Sequence, residues 1–266
     1  RSGNVTTLAG STDGFADGNG NIAQFSLPNG VAVDATGTVY VADENNNKIR
    51  KIDPSGRVTT IAGSTYGYVD ANGSSAKFAN PQSVAVDISG NVYVADVNNL
   101  KIRKIDPRGN VTTLAGSSPG FADGNGATAK FALPIGIAVD ASANVYVADK
   151  NNHKIRKIDP LGNVTTLAGS TQGFADDSAT VAKFDNPYAV AVDKEGSVYV
   201  ADQLNAKIRK IDKSGKVTTL AGTTFGDADG LANTAQFGSL QGIAVDKNGI
   251  IYVGDNGNHR IRKVFY

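Results

Sequence analysis

In the stretch VYVADENNNKIRKIDPSGRVTTIAG, residues 39–63, three short runs rich in Val, Ile, Thr and Tyr are separated by clusters of Asp, Asn, Pro, Ser and Gly. Runs of this length and composition, bounded by turn formers, read as β-strands. The Asp53-Pro54-Ser55-Gly56 connection places Asp first, Pro second and Gly fourth, the order favoured by a type I turn followed by a left-handed residue. Such a turn makes a tight antiparallel hairpin.

The same text recurs along the whole chain. VTTLAG or VTTIAG begins at Val5, Val58, Val111, Val164 and Val217, an interval of 53 residues. An apolar-Ala-Val-Asp run ends at Asp34, Asp87, Asp140, Asp193 and Asp246. VYVAD, or IYVGD in the last copy, ends at Asp43, Asp96, Asp149, Asp202 and Asp255. KIRKID, or RIRKVF in the last copy, begins at Lys48, Lys101, Lys154, Lys207 and Arg260. Each copy therefore holds four strands, and the link between its first and second strands, Asp34-Ala35-Thr36-Gly37 in the first copy, is a second Gly-ended hairpin. Ala143 stands where the other copies have Gly37, Gly90, Gly196 and Gly249, a replacement that costs about 1 kcal/mol if φ is positive there. Four-stranded units at constant spacing, without helical periodicity, predict an all-β propeller of five blades in one domain, residues 1–266. The N-terminal segment Asn4–Gly10 reads as a fourth strand and Arg260–Tyr266 as a third. Their pairing is expected to close the last sheet and remove two exposed edges.

The motif P-x-G-[VI]-A-V-D-x-x-G-x-[VI]-Y-V-A-D-x-x-N-x-[KR]-I-R-K-[IV] resembles the NHL repeat over essentially the whole chain. Six blades and shorter repeats are usual in that family, so a fragment of a six-bladed propeller is the alternative. The extra length lies in an insert, Ser11–Leu27 and its equivalents, patterned G-[FY]-x-D-x-x-x-x-x-A-x-F. The resemblance implies a non-catalytic module binding a protein, peptide or glycan. It also offers two alternatives with precedent in the family, a metal-dependent lyase and an RNA-binding domain, and it points to an extracellular or periplasmic setting.

Composition bears on these readings. The 266 residues contain no Cys and two His, which excludes disulfides, thiolate ligands and a cysteine nucleophile. A lyase site of the metal type needs several convergent His ligands, and His153 and His259 have no third to join them. Twenty-six basic residues against 25 acidic ones leave a net charge of +1, without the basic excess that RNA binding favours. No apolar run approaches the ~20 residues of a membrane helix. A soluble monomer with no cofactor, no metal and no membrane insertion is expected.

Residues present in every copy answer demands shared by every blade. Asp43 with Asn46 could suit calcium as an oxygen pair, but recurrence favours capping of the turn between second and third strands. Asp17, Asp70, Asp123, Asp176 and Asp229 recur in the insert without the bidentate Glu of a calcium loop, which favours an Asp-Gly turn. Phe25, Phe78, Phe131, Phe184 and Phe237 read as wedges between blades rather than as a ligand platform. The Lys-Ile-Arg-Lys runs read as exposed ion pairs with nearby Asp residues.

The copies diverge in two places: in the insert and just after it, and in the connection between second and third strands. Loops on a rigid scaffold are the usual seat of recognition. The candidate ligand face is therefore Asp13, Tyr66 and Phe225 in the inserts, then Asn29, Gln82, Ile135, Tyr188 and Gln241 at the first strands. Glu44, Lys150, His153 and His259 complete it from the connecting loops.

Overall fold

The computed structural model describes residues 4–265. The chain is all-β, a five-bladed β-propeller of four-stranded antiparallel sheets with departures in three of them. The first sheet holds β1 (Gly18–Asn19), β2 (Pro28–Val33), β3 (Val39–Asp43), β4 (Lys48–Ile52) and β5 (Arg57–Ala62) in the order β1-β5-β4-β3-β2. The second holds β6 (Pro81–Val86), β7 (Val92–Asp96), β8 (Lys101–Ile105) and β9 (Val111–Ala115) in chain order. The third runs through β10 (Pro134–Val139), β11 (Val145–Asp149), β12 (Lys154–Ile158) and β13 (Val164–Ala168). The fourth contains β14 (Asp177–Ser178), β15 (Pro187–Val192), β16 (Val198–Asp202), β17 (Lys207–Ile211) and β18 (Lys216–Ala221), ordered β14-β18-β17-β16-β15. The fifth has three strands, β19 (Leu240–Val245), β20 (Ile251–Asp255) and β21 (Arg260–Val264). No helix among the described residues is long and apolar enough to cross a membrane.

The chain divides into two compact units, Arg1–Asn99 with Arg103–Thr113, and Leu100–Ile102 with Leu114–Tyr266. In the first, Tyr40, Ala42 and Ile49 pack with Phe78, Val84, Val92 and Val94. In the second, Tyr146, Ala148 and Ile155 pack with Phe184, Val190, Val198 and Val200, and Tyr199, Ala201 and Ile208 pack with Phe237, Leu240 and Val253. Alternation along a strand sends successive side chains to opposite faces, yet β7, β11 and β16 are buried at every residue because neighbours cover both sides. Phe78, Phe131, Phe184 and Phe237 are fully buried, as expected of wedges. Each such burial contributes about 2–3 kcal/mol.

The hairpins follow the turn chemistry. Asp34 Oδ1 accepts from the backbone N–H groups of Thr36 and Thr38 at 2.9 and 3.0 Å, and Asp106 repeats the pattern with Arg108 and Asn110. Ala143 has φ 60°, in the same left-handed region as Gly37 at 85° and Gly90 at 79°.

The segment 4–8, expected from the sequence as a fourth strand, lies in no strand, and within the fifth sheet β21 pairs with β20.

Candidate functional site

The recurring polar residues are consumed by one repeated network. Arg50 Nη1 donates to Asp43 Oδ2 at 2.6 Å and to the Gln24 carbonyl, and its Nη2 donates to Asp17 Oδ1 and the Ala16 carbonyl, both at 2.7 Å. Asp43 also accepts from the Ser26 N–H and from Asn46 Nδ2, which reaches on to the Gly14 carbonyl. The guanidinium lies over the rings of Phe15 and Phe25, 4.9 and 4.8 Å from their centroids. Arg103, Arg156, Arg209 and Arg262 stand in equivalent networks with Asp96, Asp149, Asp202 and Asp255.

This corrects the expectation of exposed ion pairs for the Lys-Ile-Arg-Lys runs. The Arg50–Asp43 pair is wholly buried, and hydrogen bonds from both Nη groups offset the cost of that burial, although Nε of Arg50 and of Arg156 is buried without a partner. Asp17 is likewise a clasp rather than a simple turn. It accepts the N–H and hydroxyl of Thr60, 43 positions on in the fourth strand, both at 3.0 Å. Asp70, Asp123 and Asp176 hold Thr113, Thr166 and Thr219 in the same way. The missed signal was the equal recurrence of one Arg and two Asp per copy. Burial pushes the carboxyls of Asp96 and Asp149 above the usual range, and that of Asp202 up to about 6, against the lowering effect of their hydrogen-bond and Arg partners.

The divergent positions form patches within each unit. In the first, the buried Glu44 carboxylate accepts from Asn29 Nδ2 and from Gln82 Nε2, each at 3.0 Å, joining loops of two successive repeats. Gln82 Oε1 is buried without a hydrogen-bond partner. In the second, Lys150 Nζ lies 5.0 Å from the centroid of the Tyr188 ring, again across successive repeats, and burial lowers its pKa. Gln203, which belongs to the same divergent loop position as Glu44 and Lys150, donates to Ser239 Oγ at 2.9 Å. Gln241 and His259 line one open depression of about 390 Å³.

The remaining candidates are placed differently. Ile135 is buried, whereas Asp13, Tyr66 and Phe225 are exposed on the inserts. His153 and His259 have φ 54° and 56°, the left-handed conformation shared by Asn47, Leu100 and Ala206 at the same turn position. His153 Nδ1 accepts from the Asn186 N–H at 3.2 Å, and burial holds its pKa below the ordinary value despite Asp185 nearby. Among the described residues no three His, Asp or Glu side chains converge in a way that would hold a metal.

The description NHL repeat matches residues 25–52, 78–105, 131–158 and 237–264. The chain belongs to the NHL-repeat β-propeller family. It is 30% identical to Protein SUPPRESSOR OF QUENCHING 1, chloroplastic, of Arabidopsis thaliana, over 95% of this chain and 26% of that protein. It is 29% identical to human NHL repeat-containing protein 2, over 96% of this chain and 41% of that protein. It therefore spans well under half the length of these relatives. Among solved structures, it resembles an auxiliary nutrient binding protein from Bacteroides ovatus, with TM-score 0.67 and 21% identity, covering 90% of this NHL chain and 59% of that one. A virginiamycin B lyase from Staphylococcus aureus has TM-score 0.58 and 16% identity, covering 89% and 69%. Both likenesses are of fold.

Proposed function

We propose that this NHL propeller is a non-catalytic binding module that recognises a protein, peptide or glycan through the loops joining second and third strands and the residues beside them. The observation that carries this reading is the division of labour among polar groups. The recurring Asp, Asn and Arg side chains are occupied in the scaffold, whereas Glu44, Asn29 and Gln82, and separately Lys150 and Tyr188, contact one another across repeats at positions that differ from copy to copy. A carboxylate flanked by amides, and a cation over an aromatic ring, suit directional contact with hydroxyl or amide groups. The similarity to an auxiliary nutrient binding protein is likewise one of fold and leaves the role to the site itself. The likeness to a lyase is one of fold, and fold alone does not carry a reaction.

The test is a glycan and peptide array probed with the wild-type chain and then with Glu44→Gln and Tyr188→Ala. Leu161, 88% exposed at a Gly-ended hairpin, supplies a control as Leu161→Ala. At least a tenfold loss of binding in the first two variants, with unchanged circular dichroism and unchanged binding by the control, is expected. Loss in the control with retention in the other two would assign recognition to the hairpin end of the sheets instead.

A further inference from the structure

The connection between the second and third strands of the third sheet is fixed by its own hydrogen bonds. Lys150 and Asn151 donate their backbone N–H groups to the Leu133 and Ala132 carbonyls at 3.2 and 2.9 Å, and Asn152 Nδ2 donates to the Gly120 carbonyl and to Asp149. The first strand of the next sheet comes close, because Gly136 has no Cβ, and one there would lie 2.5 Å from the Tyr188 carbonyl oxygen. Lys150 Nζ then stands 5.0 Å from the centroid of the Tyr188 ring. Both side chains are half-buried, and both belong to the second compact unit.

The Lys150 ammonium has an aromatic face beside it but no oxygen. Among the described residues its Nζ makes no hydrogen bond and no ion pair. Three other half-buried lysines are matched. Lys48 donates to the Ser64 carbonyl, Lys154 to that of Ser170 and Lys207 to that of Thr223, and Asp43, Asp149 and Asp202 stand near them in turn. Burial lowers the pKa of all four lysines, and for Lys150 no carboxylate opposes the fall. Asp185, on the stretch that leads to Tyr188, is turned to Gln172 and His153 at 3.1 and 3.6 Å. Glu44 and Gln203, which hold the position of Lys150 in their own copies, each have hydrogen-bond partners. An ammonium carries three donors, and a charge drawn partly out of water without an acceptor is costly.

We propose, resting on the recognition face assigned above, that Lys150 is the counter-charge for a side-chain carboxylate of a bound acidic peptide, held over Tyr188 so that its N–H groups meet the ligand. One ammonium matches one negative charge. A phosphate dianion calls for a second cation, and His153 of the same loop is held neutral at pH 7 by burial. The ring face that would stack on a sugar is taken by the ammonium, which favours a peptide over an acidic glycan. Because the loop is ordered in advance, binding has little left to immobilise.

Matched peptide pairs that differ only in Glu against Gln, printed on one array, are probed with the wild-type chain, Lys150→Gln, Lys150→Arg and Lys247→Gln, the last at an exposed lysine of a Gly-ended hairpin. The wild-type chain is expected to bind the Glu member of its preferred pairs about tenfold more tightly, as one charge-assisted contact provides. Lys150→Gln should abolish that ratio, Lys150→Arg should keep most of it, and Lys247→Gln should leave it unchanged. Acylation of Lys150 by a succinimidyl ester, followed by mass spectrometry, should slow with the Glu peptide and not with its Gln partner. A ratio that survives Lys150→Gln, or that falls as far in Lys247→Gln, would overturn the proposal, as would tighter binding of oligogalacturonate than of any acidic peptide. Binding of neutral ligands that Glu44→Gln and Tyr188→Ala abolish, with no preference for Glu, would overturn the carboxylate site and leave the recognition face standing. No binding to any peptide or glycan would overturn both.

Discussion

Arg103 and Asp96 are joined at 2.7 Å with neither side chain exposed to solvent, and the guanidinium is held between the rings of Tyr68 and Phe78 at 4.9 and 5.1 Å. The pair links the second strand of its sheet to the third, while Asp70, on the same guanidinium, reaches the fourth through Thr113. One side chain thus ties three strands and an insert together.

Removing one member of that pair leaves the other charge buried without compensation. Arg103→Met is therefore expected to cost about 3–5 kcal/mol of unfolding free energy. Asp70→Ala, which removes a partly exposed carboxylate, should cost about 1 kcal/mol. Urea denaturation followed by circular dichroism measures both. Equal costs would show that burial of the pair is not what matters.

Ala143 sits at φ 60° in a turn that four other copies give to Gly. Ala143→Gly relieves a side chain held in the left-handed region and is expected to raise stability by about 0.5–1 kcal/mol, with Gly90→Ala losing a similar amount. Denaturant midpoints at constant slope decide the sign. Destabilisation by Ala143→Gly would mean that unfolded-state entropy outweighs the strain.

Gly30 meets the next repeat by close approach rather than by turn geometry. A Cβ there would lie 2.6 Å from both the Gln82 carbonyl oxygen and the Ser83 Cα. Gly30→Ala is expected to cost about 1–3 kcal/mol through overpacking. Amide exchange should show the loss first in β2 and β6. A neutral substitution would mean that the two strands part freely.

Acidity acts through two sets of carboxylates with opposite sign. The Ser55 and Ser214 hydroxyls hold Asp53 and Asp212 below the usual range, and the Asn110 and Asn163 amides do the same for Asp106 and Asp159. These groups bind protons more weakly when folded, so their contribution is present above about pH 4 and is lost as pH falls through and below it. Burial raises Asp202 to about 6, so the folded chain holds that proton more tightly. Its contribution is lost as pH rises between about 4 and 6. Carbon-detected titration should place the Asp202 midpoint near 6, and Asp106→Asn should flatten the acid limb of a melting curve. A midpoint near 4 for Asp202 would show that Arg209 offsets its burial.

The propeller was legible because the repeat is written in the chain. Alternating Val and Ile, Gly-ended turns and constant spacing are local properties, and Asp34 with Thr36 and Thr38 needs no distant partner. The buried Arg network was not legible, because a charged residue between apolar ones reads as an exposed position until something covers it. Phe15, Phe25 and Asp17 supply that cover from 25 to 35 positions away. For the candidate site, the list of divergent residues was available from the copies, but its grouping was not. That Glu44 receives both Asn29 and Gln82, and that Lys150 lies over Tyr188, depends on how one repeat packs on the next.

The sequence by itself determined strand identity, turn type and blade number, since these follow from short-range sterics and hydrophobic alternation. Tertiary structure alone decided which charges were buried and which loop residues met. Burial and contact belong to pairs of distant segments, and their free energy exists only once packing has excluded water from between them.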